Sequence, residues 1–380
     1  MKKALIVANL AGFASFLVSD IDWLQKMGYT ITFAANTNVL NWEDTRAALK
    51  QRCVEIVNVD FDSKRPFSKQ NISAFIQLRK LLKAETYELI HCHTPIAGLI
   101  TRIAANRFRR KGSKVIYTTH GFTFTKLSSK KSWIVFGTLE KLMSLLSDAI
   151  VTINREDYET ARKMYCKQVF YIHGVGVNTD SYKNVSINKR TYRESIGVSP
   201  EDVMILSVGE LSDRKNHRIV IEAIAKLPNK EKYHYVVCGN GINGGTGTQL
   251  KKLAEELGVR LNLLGFRSDI PEITACSDLG AIPSIREGLG LAGIQSLAAG
   301  VPVLGTDVQG IKDYLVDGET GFLCDANEAE TFTEGILRYE KLINAQKEYM
   351  SACCKEMASR FDISVSRQEM SNIYTKILGA

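Results

Sequence analysis

Short runs rich in β-forming residues alternate with amphipathic helical stretches along most of this chain, and half-way along the scheme starts again. The strand-like runs of the first half are Ala4–Ala8, Tyr29–Ala34, Glu55–Val59, Glu88–His93, Lys114–His120, Ala149–Asn154 and Val169–His173. Helical patterns such as Ala74–Leu82 and Leu139–Leu146 lie between them. The second half has Val203–Gly209, His234–Gly239, Arg260–Gly265, Leu279–Ser284 and Val301–Thr306, again with helices between. Strands alternating with helices of about 10–15 residues mean βαβ units and mostly parallel sheets. Because each half begins with its own first strand, two doubly wound α/β domains fit better than one large sheet. The glycine-rich segment His173-Gly-Val-Gly-Val-Asn-Thr-Asp180 is the predicted hinge.

The composition agrees with a globular chain: of 380 residues, 45% are hydrophobic and 24% charged. No run of about 18 uncharged apolar residues occurs, which argues against a membrane-spanning helix. The opening Met-Lys-Lys-Ala-Leu-Ile-Val-Ala has the look of a secretory leader. Its apolar stretch is short and broken by Asn9, so a first strand is the expectation. The eight cysteines form no C-x-x-C pair and several, such as Cys92 and Cys238, sit in strand-like runs. They read as buried free thiols of a reducing cytoplasm, not as a disulfide frame or zinc site.

Charge is unevenly spread: residues 1–180 carry a net +11 and residues 181–380 a net −3. A basic half suggests an anionic partner. Its clusters, Arg107–Lys111 and Lys126–Trp133, interleave cations with Phe108, Leu127 and Trp133. Docking on an anionic membrane surface is expected, with the aromatics at the interface.

In open α/β sheets, ligands bind beyond the carboxyl ends of the strands. Gly239–Gly247 is glycine-rich but departs from G-x-G-x-x-G spacing and does not read as a dinucleotide fingerprint. Pro283–Pro302 is more informative. A strand ends in Pro-Ser, a turn carries Arg286 and Glu287, Gly288 and Gly290 follow, and a helix begins. Such glycines admit a ligand close to backbone, and the free N–H groups of a helix start hold negative oxygens. Glu287 can accept hydrogen bonds from sugar or ribose hydroxyls. Gln295, a little over two turns further, projects near the same ligand.

Here the sequence resembles glycosyltransferase family 4, retaining enzymes of the two-domain GT-B fold. Glu-Gly-Leu-Gly-Leu-x-x-x-Gln is similar to the family's E-x7-E motif. Further matching segments run in order: Leu89–Pro95, Tyr117–Gly121, Ser207–Asn216, Leu264–Ile270 and Asp317–Phe322. The likeness covers almost the whole chain and is greatest to bacterial members that build capsule, exopolysaccharide or lipid-linked glycans. It implies an acceptor-side domain over residues 1–178, a nucleotide-sugar domain over 179–363, and a helix in 364–380 that crosses back to the first domain.

The resemblance also implies roles. Glu287 contacts the donor sugar, and Gly288, Leu289, Gly290 and Leu291 form the turn touching sugar and diphosphate. Arg214 and Lys215 neutralise the diphosphate, a role that bottom-up chemistry also gives two cations at a strand end. Gly209, Phe266, Arg267 and Gln295 belong to the nucleoside site, and Gly12 to the turn that admits the diphosphate. His120 faces the donor sugar, with His93 lining the cleft and His91 packing behind it. The chain departs from the pattern twice: the second motif glutamate is Gln295, and Glu210 stands where an arginine is common.

No metal is expected. Asp20-Ile-Asp22 and Asp60-Phe-Asp62 are D-x-D in form but lie in no matching site, and His91 with His93 lacks a third ligand. The expectation is a cytoplasmic glycosyltransferase, peripheral at the inner membrane face, without cofactor or nucleic-acid partner. It moves a hexose or N-acetylhexosamine from a UDP-sugar, or another NDP-sugar, to a polyprenyl-diphosphate-linked glycan. Rival readings are a UDP-sugar 2-epimerase of the same fold and a non-catalytic sugar-nucleotide-binding module.

Overall fold

The computed structural model describes residues 2–39, 42–125, 128–242 and 245–379. The chain divides into two compact units, residues 1–175 with 364–380, and residues 176–363.

The first unit is built on seven strands: β1 (Lys2–Leu10), β2 (Tyr29–Asn36), β3 (Glu55–Asn58), β4 (Leu89–His93), β5 (Lys114–Thr119), β6 (Ala149–Thr152) and β7 (Val169–Tyr171). They pair in parallel in the order β3-β2-β1-β4-β5-β6-β7. The chain runs outward from β1 to β3, then returns to β4 and runs the other way. That reversal opens a crevice at the carboxyl ends of β1 and β4, where doubly wound sheets bind ligands. Leu5, Val7, Ile90, Cys92, Val115 and Tyr117 supply much of the core, all fully buried. Strands covered on both faces read as continuous apolar runs, which is why these were visible in the sequence.

Two polar devices hold this core in place. Arg102, fully buried, grips Glu140 with both carboxylate oxygens 2.8 Å from its Nη2. Its guanidinium lies 4.1 Å over the Tyr117 ring. Ser68 caps the helix Lys69–Ala84 by accepting from Asn71 N. The expected stretch Leu139–Leu146 is a helix, Thr138–Met143, ending in a 3₁₀ turn and preceded by a π turn over Trp133–Gly137.

The helix Ile363–Leu378 belongs to this unit from Ser364 on, although the second unit separates it in sequence. Its buried face is Ser366, Met370, Ile373, Tyr374 and Ile377, a 3.6-residue stripe. Tyr374 stacks on Trp23 at 5.4 Å, and Glu369 accepts from the backbone N–H of His173 at 2.8 Å.

The second unit has β8 (Val203–Val208), β9 (Tyr233–Cys238), β10 (Arg260–Gly265), β11 (Leu279–Ile282), β12 (Val303–Thr306) and β13 (Gly321–Cys324). All pairs are parallel, in the order β10-β9-β8-β11-β12-β13. The reversal here falls between β8 and β11. The strand β13 adds to the sequence expectation.

The cysteines are free thiols. Six are buried as expected, but Cys53 is exposed and Cys353 partly so: Cys53 sits in the turn after a surface helix, Cys353 on the outer side of Asn344–Ser359. Among the described residues no helix is long and apolar enough to cross a membrane.

Candidate active site

In the second unit, two loops meet at the β8/β11 reversal. The first follows β8. Gly209 there accepts close backbone contact: a Cβ on Gly239 would lie 1.7 Å from the Gly209 carbonyl oxygen, so only glycine fits at 239. A 3₁₀ turn, Asp213–Lys215, ends at Asn216 in left-handed conformation. The second loop follows β11 and runs to Gly290, whose φ of 79° closes the turn before the helix Leu291–Ala298. Ile285 N donates to Arg214 O at 3.0 Å and ties the loops together.

Glu287 is the hub. Its Oε2 accepts from Lys215 Nζ at 2.6 Å, Ser284 Oγ at 3.2 Å and Arg214 Nη1 at 3.3 Å. Arg214 also donates to the Arg286 carbonyl at 3.2 Å and to Glu210 Oε1 at 3.0 Å. Desolvation acts to raise the Glu210 carboxyl, but Arg214, with Ser212 and Lys215, holds it below its ordinary range. Two cations and two carboxylates therefore cancel in formal charge within one cluster. Glu210 thus occupies one face of Arg214.

Beside this cluster, Leu289 is buried and Gln295 half-buried on the following helix. The Gly290 turn packs under Tyr314, whose hydroxyl donates to the Gly290 carbonyl at 3.2 Å. Phe266 is 77% exposed after β10. Arg267 is tied to Asp269 by bonds of 2.8 and 2.5 Å, and Tyr192 donates to the same carboxylate at 2.6 Å. What this loop offers a ligand is the Phe266 ring and backbone more than the guanidinium. Of the glycine-rich segment 239–247, residues 243 and 244 lie outside the described residues.

In the first unit, the β1/β4 reversal carries a histidine cluster. β1 leads into a 3₁₀ turn, Ala11–Phe16, that contains Gly12. A Cβ at Gly12 would meet nothing nearer than 3.8 Å, so the glycine leaves open space instead of relieving a clash. His93 ends β4 and His120 follows β5, with His93 Nδ1 3.2 Å from His120 Nε2. Phe13 packs edge-on to His120 at 4.7 Å. Thr94, next in the chain, has φ of 67°, a strained conformation for a β-branched residue. Burial drives His91 and His120 down to about 3, and His93 well below the ordinary histidine value with help from its neighbours. All three rings are neutral at physiological pH, so His120 can exchange hydrogen bonds with a hydroxyl but brings no charge.

The D-x-D carboxylates are structural in part. Asp22 pairs with Arg52 at 2.6 Å, and Asp62 caps the backbone of Lys64 and Arg65 at 3.0 Å. Asp60 bonds Gln77 and Asn58. Among the described residues no three His, Cys, Asp or Glu side chains converge as a metal-ligand set. His91 is more than packing: its Nδ1 and Nε2 each lie 2.7 Å from a hydroxyl, of Tyr374 and Thr118.

Two family models match, "Glycosyl transferase 4-like" over residues 5–154 and "Glycosyl transferases group 1" over residues 188–352. The chain is 33% identical over 98% of its length to EpsD of Bacillus subtilis (strain 168), which is named a glycosyltransferase, and covers 96% of that protein. This chain belongs to glycosyltransferase family 4. The enzyme is also 27% identical, over 80% of its own length and 79% of the relative's, to the Escherichia coli UDP-Gal:alpha-D-GlcNAc-diphosphoundecaprenol alpha-1,3-galactosyltransferase. Its fold is GT-B. The structure of Anabaena HepE in complex with UDP and glucose superposes with a TM-score of 0.79 at 19% identity, covering 99% of the enzyme and 100% of that chain. The lipopolysaccharide glycosyltransferase WaaG superposes at 0.72 and 17% identity, covering all of both chains. Membership of a transferase family sets aside both the epimerase and the non-catalytic readings.

Proposed function

We propose that this glycosyltransferase moves a hexose or N-acetylhexosamine, with retention, from a UDP-sugar or similar donor to a polyprenyl-diphosphate-linked glycan in surface polysaccharide synthesis. The observation that carries the reading is the convergence of Arg214, Lys215 and Glu287 at the β8/β11 reversal. When the donor's glycosidic bond breaks, negative charge collects on the β-phosphate. Arg214 and Lys215 stabilise that charge, and they are held in place before the reaction by the carboxylate they share. Glu287 accepts hydrogen bonds from the donor sugar once the cations turn to the phosphates. Gly288 to Leu291 present backbone N–H groups at a helix start. Gln295 is assigned to the ribose, Gly209, Phe266 and Arg267 to the nucleoside, and Gly12 to the diphosphate. His120 is assigned a hydroxyl of the reacting sugar, with His93 behind it. The leaving β-phosphate assists deprotonation of the acceptor hydroxyl, a front-face displacement that asks for no metal. HepE, bound to UDP, and the Escherichia coli enzyme, named for a diphosphoundecaprenol acceptor, support the choice of donor and acceptor.

Purified enzyme incubated with nucleotide sugars, with and without a lipid-linked glycan, tests this. Nucleoside diphosphate release that requires the acceptor, and an α-anomeric product from an α-linked donor, are expected. Release independent of acceptor, or an inverted product, refutes it.

The acceptor class requires the enzyme to work at a membrane. Trp133, Ile134, Val135, Leu142 and Leu145 stand exposed beside Lys130, Lys131 and Lys141. We assign this segment to an anionic membrane surface, together with Arg107, Arg110 and Lys111; Lys126 and Leu127 lie outside the described residues, and Arg109 is occupied by Asp148. Co-sedimentation with anionic vesicles that fades with salt supports it, and equal binding to neutral vesicles rejects it.

A further inference from the structure

Behind the His93–His120 pair runs a second line of polar groups that the transfer reaction does not call on. Tyr374, on the helix Ile363–Leu378, is fully buried. Its hydroxyl lies 3.3 Å from Asp20 Oδ2 and 2.7 Å from His91 Nδ1. His91 Nε2 lies 2.7 Å from Thr118 Oγ1. Thr118, Asp20, His93 and His120 line one small cavity of about 20 Å³, with Ser366 and Met370 of the same helix. That volume suits about one water molecule. His93 Nε2 is buried and has no hydrogen-bond partner among the described residues.

A hydroxyl and a neutral imidazole each carry one proton on these atoms, so each donates once along the line. An ionised Asp20, which can only accept, therefore fixes every bond, and a protonated Asp20 frees the line to reverse. With Asp20 ionised, Tyr374 donates to it, His91 Nδ1–H donates to Tyr374, and Thr118 donates to His91 Nε2. The Thr118 oxygen then offers only lone pairs to the cavity. With Asp20 protonated, its O–H donates to Tyr374, Tyr374 donates to His91 Nδ1, and His91 Nε2–H donates to Thr118. The Thr118 proton is then released to the cavity. A donor there suits His93 with a bare Nε2. His93 then carries its proton on Nδ1, donates to His120 Nε2, and leaves His120 with Nδ1–H. An acceptor in the cavity suits the reverse, with Nδ1 of His120 bare.

We propose that Asp20, Tyr374 and His91 are positioning residues that select the tautomer of His120 through Thr118 and His93. The proposal rests on the assignment of His120 to a sugar hydroxyl, since the tautomer decides whether that ring donates or accepts. Desolvation, opposed by the Tyr374 hydroxyl, pushes the carboxyl of the half-buried Asp20 up to about 7, which puts its change of protonation near neutrality. The other titratable or charged groups around it are His91 and His93 from β4, His120 after β5, and Arg367 from the Ile363–Leu378 helix. Arg367 lines the same cavity and donates to Ser19 Oγ at 2.8 Å. The neutral rings change tautomer, not charge.

Histidine-selective ¹⁵N labelling of the full chain, with long-range ¹H–¹⁵N correlation at about pH 5.5 and about pH 8.5, reads the tautomers directly. In the wild type, His93 and His120 should exchange the protonated nitrogen between the two conditions. Tyr374→Phe, which keeps the ring on Trp23, and Asp20→Asn should each hold one pattern throughout. In the transfer assay both should lower kcat by about tenfold, the scale on which outer-shell partners of a working imidazole act, with donor KM little changed and the pH profile flattened near neutrality. Wild-type tautomers that do not change with pH, or an exchange that survives in both variants, overturn the relay. Tautomers that respond while kcat and its pH profile stay put uphold the relay and remove His120 from the sugar.

Discussion

Glu210→Gln should tighten diphosphate binding. Arg214 divides itself between Glu287 at 3.3 Å and Glu210 at 3.0 Å. The Glu210 pair is solvent-facing, with side chains 57% and 35% exposed, so breaking it to free the guanidinium costs about 0.2–1 kcal/mol. The remaining carboxylate also repels an arriving diphosphate, by about 1 kcal/mol at about 4 Å in water. Both terms vanish in the glutamine variant, which keeps the shape. Together they amount to about 1–2 kcal/mol, or about 5- to 30-fold in Kd. Isothermal titration with UDP, UMP and uridine at low and high salt measures this. The gain should be greatest for UDP, smaller for UMP, nil for uridine, and should shrink as the Debye length falls below about 10 Å. An unchanged UDP affinity at low salt, or the same gain for uridine, would show that Arg214 does not meet phosphate and that its pairing with Glu210 is only structural.

Lys215→Ala should lower kcat/KM by about 30- to 900-fold, the loss of about 2–4 kcal/mol expected when one charge-stabilising group leaves a site; steady-state transfer kinetics beside a melting curve check it. Gln295→Glu should tighten nucleotide-sugar binding by about 1 kcal/mol, since a carboxylate bonds hydroxyls more strongly than an amide, and an unaltered donor Kd removes Gln295 from the ribose. Asp20→Asn should gain melting temperature over the wild type as pH rises. The wild-type carboxyl titrates at about 7 when folded, above its unfolded value, so its contribution is whole below the unfolded value and is lost as pH climbs through 7. A difference between the two proteins that is the same at pH 5 and pH 8 contradicts that sign.

The strands were legible from their β-rich runs, most of them buried and largely apolar; β10, at the sheet edge and only partly buried, runs from Arg260 to Gly265 as read, and most others differ by a residue or two. The strand β13 was not. Gly321–Cys324 opens on a glycine and follows directly on the turn Asp317–Thr320, so no β-rich run sets it apart from the loop. The convergence of Arg214, Lys215 and Glu287 was visible because they follow two neighbouring strand ends. The engagement of Arg214 by Glu210 was in principle readable, since the two stand four apart and such spacing brings side chains together across a turn. The partnership of His91 with Tyr374 was not, because 283 residues separate them and nothing local in either segment marks the other. A polar residue in an apolar strand signals only that some partner exists, and tertiary structure alone supplies which.

The helix that carries Tyr374 also sets a clock. Residues 364–379 complete the first unit, yet a ribosome reaches them only after the intervening residues 176–363. At about 5–20 residues per second that interval lasts about 10–40 seconds. Throughout it, the Trp23 face and the groove over His91 stand without their cover, and as it closes the second unit receives its last residue, before the first unit has its own. The later half of the chain is therefore free to fold first, and the earlier half finishes last. A chaperone or protease sampling nascent chains meets this enzyme at its amino-terminal sheet, and a slow codon stretch between 176 and 363 lengthens the exposure without altering a single contact in the finished protein.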